Sequence, residues 1–319
     1  MSRFLVIFLS VVIAVKADIS PLDYWRNVLP NTEMPSFFMN HLIDPDLDVT
    51  LLAKRPLSIR KGLAQYYFIL FGPLPSKEHI LSTFFPQSAM YPGTKMDEGT
   101  NFTRTMWGNV FVPRPEADAV PFSTKNLPQL LDHFSMVPSS KEAKDLKQLI
   151  VDCEAPNMVG ETKFCPTSLE SMIDNVVSLM GTHDVSALTT TINSTKLIAQ
   201  HNKVVYRTTS PIKSFPDHTK LIICHPSPCA QAVHYCHTNT KYKGYVIPLM
   251  GSDGSTVNAL TICHHDYMNF NPGFFEVLKM EPGSQPICHF LPENHIVWVR
   301  SDQMPTLRTV SSGGSGFQF

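Results

Sequence analysis

The sequence predicts an α+β fold: helices in the N-terminal half of one domain, then a mostly antiparallel β-sheet region carrying four Cys-His doublets. Three observations lead there. Helical spacing with capping residues is found in residues 139–180. Runs rich in β-branched and aromatic residues, punctuated by Gly, Pro, Asn and Asp, fill the chain beyond residue 185. Four of those runs (LIICH, VHYCH, LTICH and QPICH) end in Cys followed at once by His. The first helix is expected over SSKEAKDLKQLIVDCE (139–154), capped by Ser139 or Ser140, with Ala143, Leu146, Leu149 and Ile150 on one face. The second is expected to follow Thr167, paired with Glu170 in a capping box, and to stop at Gly181. The strand candidates are VSALTTTI, KVVYRTT, KLIICH, VHYCH, GYVIPLM, TVNALTICH, QPICHF and HIVWVR.

The bulk composition narrows the function. The chain has 319 residues, 43% of them hydrophobic, enough for one large domain or two ordinary ones. A formal net charge of −1 argues against a nucleic-acid binder or a strongly basic membrane-surface protein. The N-terminus, MSRFLVIFLSVVIAVKA, has Arg3, an apolar run from Phe4 to Val15 and a small-x-small site ending at Ala17. It reads as a secretory signal peptide over residues 1–17, too short to span a bilayer, and no later stretch is long enough to do so. The expected destination is extracellular, the cell wall or a vacuole. Residues 18–42 follow as a docking leader, 43–81 as a variable linker, 82–302 as the domain and 303–319 as a Ser- and Gly-rich tail. Asn101 and Asn193 head N-glycosylation sequons.

Secretion changes how the cysteines read. In an oxidising compartment most should be bridged, and the seven cysteines leave at least one without an intrachain partner; Cys229 is the candidate. Cys153 and Cys165 flank the turn between the two expected helices and could tie it. Adjacent residues on a strand point to opposite faces. Cys224, Cys236, Cys263 and Cys288 can therefore pair on one face while His225, His237, His264 and His289 converge on the other. Mixed thiolate–imidazole zinc is disfavoured by the long gaps and the oxidising compartment. Imidazole-only ligation suits copper, zinc or nickel, with copper highest in affinity. His265 and Asp266 would be outer partners of such a site or plain exposed residues. No G-x-S-x-G, H-E-x-x-H or phosphate-binding loop is present.

The doublets are separated by ten, twenty-five and twenty-three residues, and eight more lead to Trp298. Together with YPGTKM (91–96), VPFSTKNLPQLLDHFSM (120–136), CEAPNMVGETKFCPTSLESMIDNV (153–176) and the leader DYWRNVLPNTEMP (23–35), this spacing resembles the plant BURP domain family. The short, repeat-free region before the domain is most similar to its unknown-seed-protein type. The resemblance implies a secreted or vacuolar plant protein. Other groups of the family are dehydration-responsive proteins and the non-catalytic β-subunit of polygalacturonase. Some members are copper-dependent peptide cyclases that couple a Tyr or Trp side chain of a peptide to a nearby position, and in them the doublet histidines carry the copper. Carried over, the ligands are His225, His237, His264 and His289. The partner implied is a peptide substrate or a cell-wall component. Gln65, Tyr66 and Tyr67 are the candidate core peptide, with a buried strand as the alternative reading. A non-enzymatic wall or vacuolar protein acting in development, seed or reproductive tissue, or stress is the second functional reading.

Overall fold

The computed structural model of the protein describes residues 19–41, 74–102, 110–193, 204–227, 232–265 and 270–305. In chain order it has α1 (Pro21–Val28), α2 (Ser36–His41), α3 (Lys77–Thr83), β1 (Phe84–Pro86), α4 (Arg114–Ala117), α5 (Leu127–His133), α6 (Lys141–Glu154), β2 (Glu161–Phe164) and α7 (Leu169–Met180). There follow β3 (Val185–Leu188), β4 (Thr191–Asn193), β5 (Tyr206–Thr208), β6 (Lys213–Ser214), β7 (Ile222–Ser227), β8 (Val233–Asn239), β9 (Tyr242–Gly251) and β10 (Thr256–His264). The last elements are α8 (Gly273–Leu278), β11 (Ile287–Phe290) and β12 (Ile296–Arg300).

Both expected helices form, and their caps explain their ends. Ser140 caps α6 by accepting from Ala143 N, and Ala143, Leu146, Leu149 and Ile150 make its buried face. The cap of α7 is Ser168, not Thr167. Ser168 and Ser171 satisfy each other's backbone N–H reciprocally. The shift of one residue frees Glu170, which is buried and accepts from Arg114 N. Gly181 ends α7 in the left-handed conformation at φ 68°, where a side chain would be strained. Residues 77–81, expected in the linker, belong to α3 instead. Ile80 there is fully buried against Phe84 and Phe274, so this turn is part of a core.

The strand runs build two antiparallel sheets rather than one. The first has the order β1-β11-β10-β9-β5, with β4 pairing β10 and β6 pairing β9; the second runs β2-β8-β7-β12-β3. Their split follows from burial. Every residue of β7 and β8 is buried, so these strands need cover on both faces. On the inner side the two sheets meet: Leu221, Ile223, Val297 and Val299 of the second pack on Tyr242, Leu260 and Ile262 of the first. On the outer side Ile222, Cys224, Cys236 and Trp298 are covered by α7 and by the leader helices α1 and α2. Gly244 on β9 marks how close the sheets come. A Cβ there would lie 2.6 Å from both Leu221 Cδ1 and Phe215 Cδ2.

The leader docks as a strap on this outer face. Pro21 begins α1 under a Ser20 cap, and Trp25 is buried on Trp298 with ring centroids 5.3 Å apart. The indole of Trp25 donates to Thr32 O at 2.9 Å, and Thr32 in turn donates its hydroxyl to Val185 O. Phe38 of α2, Phe111 and His234 form a triangle of rings, with centroids 5.9 Å, 5.4 Å and 6.1 Å apart. His234 is fully buried, and neither ring nitrogen has a hydrogen-bond partner among the described residues. Burial alone lowers it from 6.5 to about 3.

Two outcomes follow. Gly244→Ala is expected to destabilise the fold by about 1–3 kcal/mol through overpacking, read as a lower urea midpoint at unchanged slope. His234 is neutral when folded but takes up a proton in the unfolded chain below 6.5. Its contribution is therefore complete above that value and lost as pH falls toward 3. His234→Phe fills the same stack and binds no proton. Relative to the variant, the native chain should lose about 2–3 kcal/mol between neutral pH and about pH 4.5, measured by urea unfolding at each pH.

Candidate functional site

Strand alternation sorts each doublet. Cys224 on β7 stands directly opposite Cys236 on β8, and the two are bridged with Cα atoms 4.0 Å apart. Cys263 on β10 and Cys288 on β11 repeat the arrangement at 3.9 Å. Both are narrow cross-strand pairs, and both bridges lie on the outer faces of their sheets. A third bridge, Cys153–Cys165, ties the end of α6 to the segment before α7. All six candidate cysteines are thus paired, while Cys229 lies outside the described residues.

Each doublet histidine then points the other way, into the space between the sheets. His225 and His237 come from the second sheet, His264 and His289 from the first, and all four are buried. The His225 and His237 rings stack, with Nε2 atoms 3.1 Å apart. The His264 and His289 rings stack at 5.3 Å between centroids, and 6.2 Å separates His225 from His289 across the sheets. Tyr242 links the two pairs: its hydroxyl lies 3.1 Å from His237 Nδ1 and its ring 4.6 Å from that of His264. Burial first, and then the other imidazoles, hold His225 and His289 well below the ordinary imidazole value.

Three members of this cluster carried no signal in the sequence. His295, in the turn before β12, places Nδ1 2.9 Å from His225 Nδ1. Glu161 on β2 is one diagonal step from His237, because its strand neighbour Lys163 is paired with His237. The Glu161 side chain is 1% exposed, and its Oε1 sits 3.3 Å from His237 Nδ1. Burial pushes this carboxyl up, but His237, helped by Met158 N–H and Lys163, offsets that and leaves it below the usual range. Glu161 sits in a polar stretch, GETKF, whose alternation is too short to reveal a buried face. Tyr242 opens β9 and His295 directly precedes β12, strand ends where the alternation does not yet mark a face.

Residues 83–300 match the sequence model of the BURP domain. The chain belongs to the plant BURP domain family. It is 35% identical over 293 residues to rice BURP domain-containing protein 5, covering 89% of this chain and 88% of that one. It is 40% identical over 223 residues to rice BURP domain-containing protein 3, covering 69% of this chain and 51% of the other. It is 37% identical over 218 residues to BURP domain protein RD22 of Arabidopsis thaliana, covering 67% and 55%. The chain thus spans about half the length of the latter two relatives.

The remaining sequence candidates of this BURP protein fall away from the cluster. Trp298 lies on the outer face of the second sheet, packed on the leader tryptophan rather than on the histidines. Asn101 and Asn193 are exposed. His265 is exposed, with its N–H bonded to Lys241 O. Residues 1–17, Gln65, Tyr66, Tyr67 and Asp266 lie outside the described residues, as does the tail from residue 306. Among the described residues no helix is long and apolar enough to cross a membrane.

The donor set fits copper in kind, since it is all imidazole with one carboxylate beside it. It also fits in the spacing of one pair. The Nε2 atoms of His225 and His237, 3.1 Å apart, are the nitrogens that would hold it. Among the described residues no three ligating groups converge on one point as the side chains stand.

The bridges hold this arrangement in register. Replacing Cys224 and Cys236 together by serine should cost about 2–4 kcal/mol, measured as a lower unfolding midpoint, with the other two bridges still present by mass.

Proposed function

We propose that this BURP protein is a secreted copper-binding protein that oxidatively couples Tyr or Trp side chains of peptides, with His225, His237, His264 and His289 as the metal-holding residues. The observation that carries the reading is the meeting of four imidazoles, from four strands of two sheets, in one buried cluster. Bound copper would supply one-electron oxidation of a phenol or indole, with dioxygen as the terminal oxidant. The chain's own part is to present imidazole nitrogens, and burial holds His225 and His289 neutral. Tyr242 braces His237 through its hydroxyl, and the apolar sheet interface keeps water from the cluster. Secretion rests on the Arg3 to Ala17 signal, and the peptide acted on is one that offers an exposed Tyr or Trp.

A second reading is favoured by one observation: the Cys-His-Trp signature already has a structural explanation. Its cysteines staple strands, and Trp298 anchors the leader. On this reading the protein is a non-enzymatic component of wall or vacuole, acting in development or stress.

One experiment separates the two. The mature protein, made in a secretory host and loaded with Cu(II) under air, should remove two hydrogens in mass from itself or from Tyr- and Trp-containing peptides. His→Ala at all four positions should abolish both copper binding and the mass change. No mass change on the protein or on a peptide panel overturns the oxidative reading. Copper binding that survives the fourfold replacement overturns the ligand assignment.

A further inference from the structure

Helix α2 of the leader lies over a side chain that meets no water in the folded chain. His234, on the outer side of β8, is 0% exposed, and neither ring nitrogen has a hydrogen-bond partner among the described residues. Such a group forfeits the bonds that water would give it, so its burial costs free energy. Three segments close the site. Phe38 comes from α2, Phe111 from the segment before α4, and Pro166 O accepts the His234 backbone N–H at 3.2 Å. The Phe111 segment is tied by its backbone, since Val110 O accepts from Ala232 N. The leader is not: among the described residues its backbone–backbone hydrogen bonds stay within it. It is held by side chains alone, with Trp25, Phe37 and Phe38 in the apolar core, Tyr24 on Asp174 and Thr32 on Val185 O. The sheet beneath is held by strand pairing and by the Cys224–Cys236 bridge.

A proton on His234 would be an unpaired cation among apolar rings. The charged groups on the elements around it do not offset that. Glu33 precedes α2 and is exposed. Arg114 follows the Phe111 segment, and Glu170 and Asp174 stand on α7; Glu170 accepts from Arg114 N, and Asp174 accepts from the Arg114 and Tyr24 side chains. Glu161 and Lys163 of β2 pair with Asn239 and His237, so they share the opposite side of the sheet. Burial is the whole cause of the fall of His234 to about 3. What holds the ring neutral is therefore its cover, and the part of the cover without a backbone tie is α2.

We infer that the leader is an acid-released cover: a proton on His234 lifts α2 from the outer face of the second sheet, while the sheets and their bridges stay in place. The opening is local, one unit of the structure leaving the rest folded. Its sign follows from the two states. Docked, the ring stays neutral; released into water, it binds a proton below 6.5. Docking is therefore fully favoured above that value and weakens as pH falls toward 3. Between neutral pH and about pH 5, one such proton raises the released fraction by up to about 25-fold. The other imidazole at the seam acts in the opposite sense. His183 Nδ1 lies 3.1 Å from Val28 O, and a protonated ring there is a stronger donor to that carbonyl.

Hydrogen exchange of the full chain, read by mass spectrometry and corrected for the intrinsic pH dependence of amide exchange, tests this. In the wild type the opening of α1 and α2 should rise by up to about 25-fold from neutral pH to about pH 5, with β9 and β10 better protected at every pH. His234→Phe, which binds no proton, should make the leader's opening flat across that range. Asp174→Asn, which weakens the Tyr24 contact, should raise the opening at every pH and keep the slope. Leader amides that exchange only together with those of β9 and β10 overturn the inference, because no separate release then exists. So does a flat wild type, or a His234→Phe chain that keeps the wild-type slope. A slope lost in Asp174→Asn places the proton at the carboxylate and overturns it equally. If His234→Phe fails to fold, His234→Leu carries the same expectation, and the wild-type slope and the separate opening of the leader still decide.

Discussion

Side-chain alternation along paired strands organises this protein. Cysteine and histidine, adjacent in sequence, cannot share a face of an extended strand. Once Cys224 meets Cys236 and Cys263 meets Cys288 on the outer faces, the four histidines are committed to the inner ones. The bridges do more than hold strands together. They pin the register, and a slip by one residue would turn every imidazole out of the interface. The two sheets then bring the four side chains within reach of one another.

Burial gives the cluster its chemistry. Packed between sheets with aliphatic neighbours on one side and aromatic ones on the other, His225 and His289 stay neutral. Neutral imidazoles are metal ligands and hydrogen-bonding partners at once, and each must decide which nitrogen bears its proton. One carboxylate, Glu161, is buried beside them, with Oε1 3.3 Å from His237 Nδ1. His234 shows what the other face does with the same residue type. It packs against Phe38 and Phe111, has no hydrogen-bond partner among the described residues, and behaves as a core aromatic. His234 and His237 are three positions apart on β8 and so lie on opposite sides of it.

The leader covers the outer of these two faces. Trp25 and Phe38 cover the outer side of the second sheet, where Trp298 and the Cys224–Cys236 bridge lie. The BURP match covers residues 83–300, and the leader lies before it, yet its aromatic side chains belong to the same core as the signature tryptophan.

Much of this was legible in the residues, and for a local reason. Helix α6 showed its buried face by spacing, the strands beyond residue 185 showed themselves by β-branched runs, and the doublets showed that thiol and imidazole must part. Alternation and helical periodicity are properties of neighbouring residues, so the sequence by itself determined which side chains share a face. It did not determine which faces meet. A single sheet was the natural expectation; two sheets arise because β7 and β8 are buried on both sides, and burial on both sides is satisfied only by distant parts of the chain. For the same reason Glu161, Tyr242 and His295 entered the cluster unannounced. Their places come from the diagonal neighbour on an adjacent strand and from the packing of two sheets, contacts between residues far apart in sequence that only the tertiary structure decides.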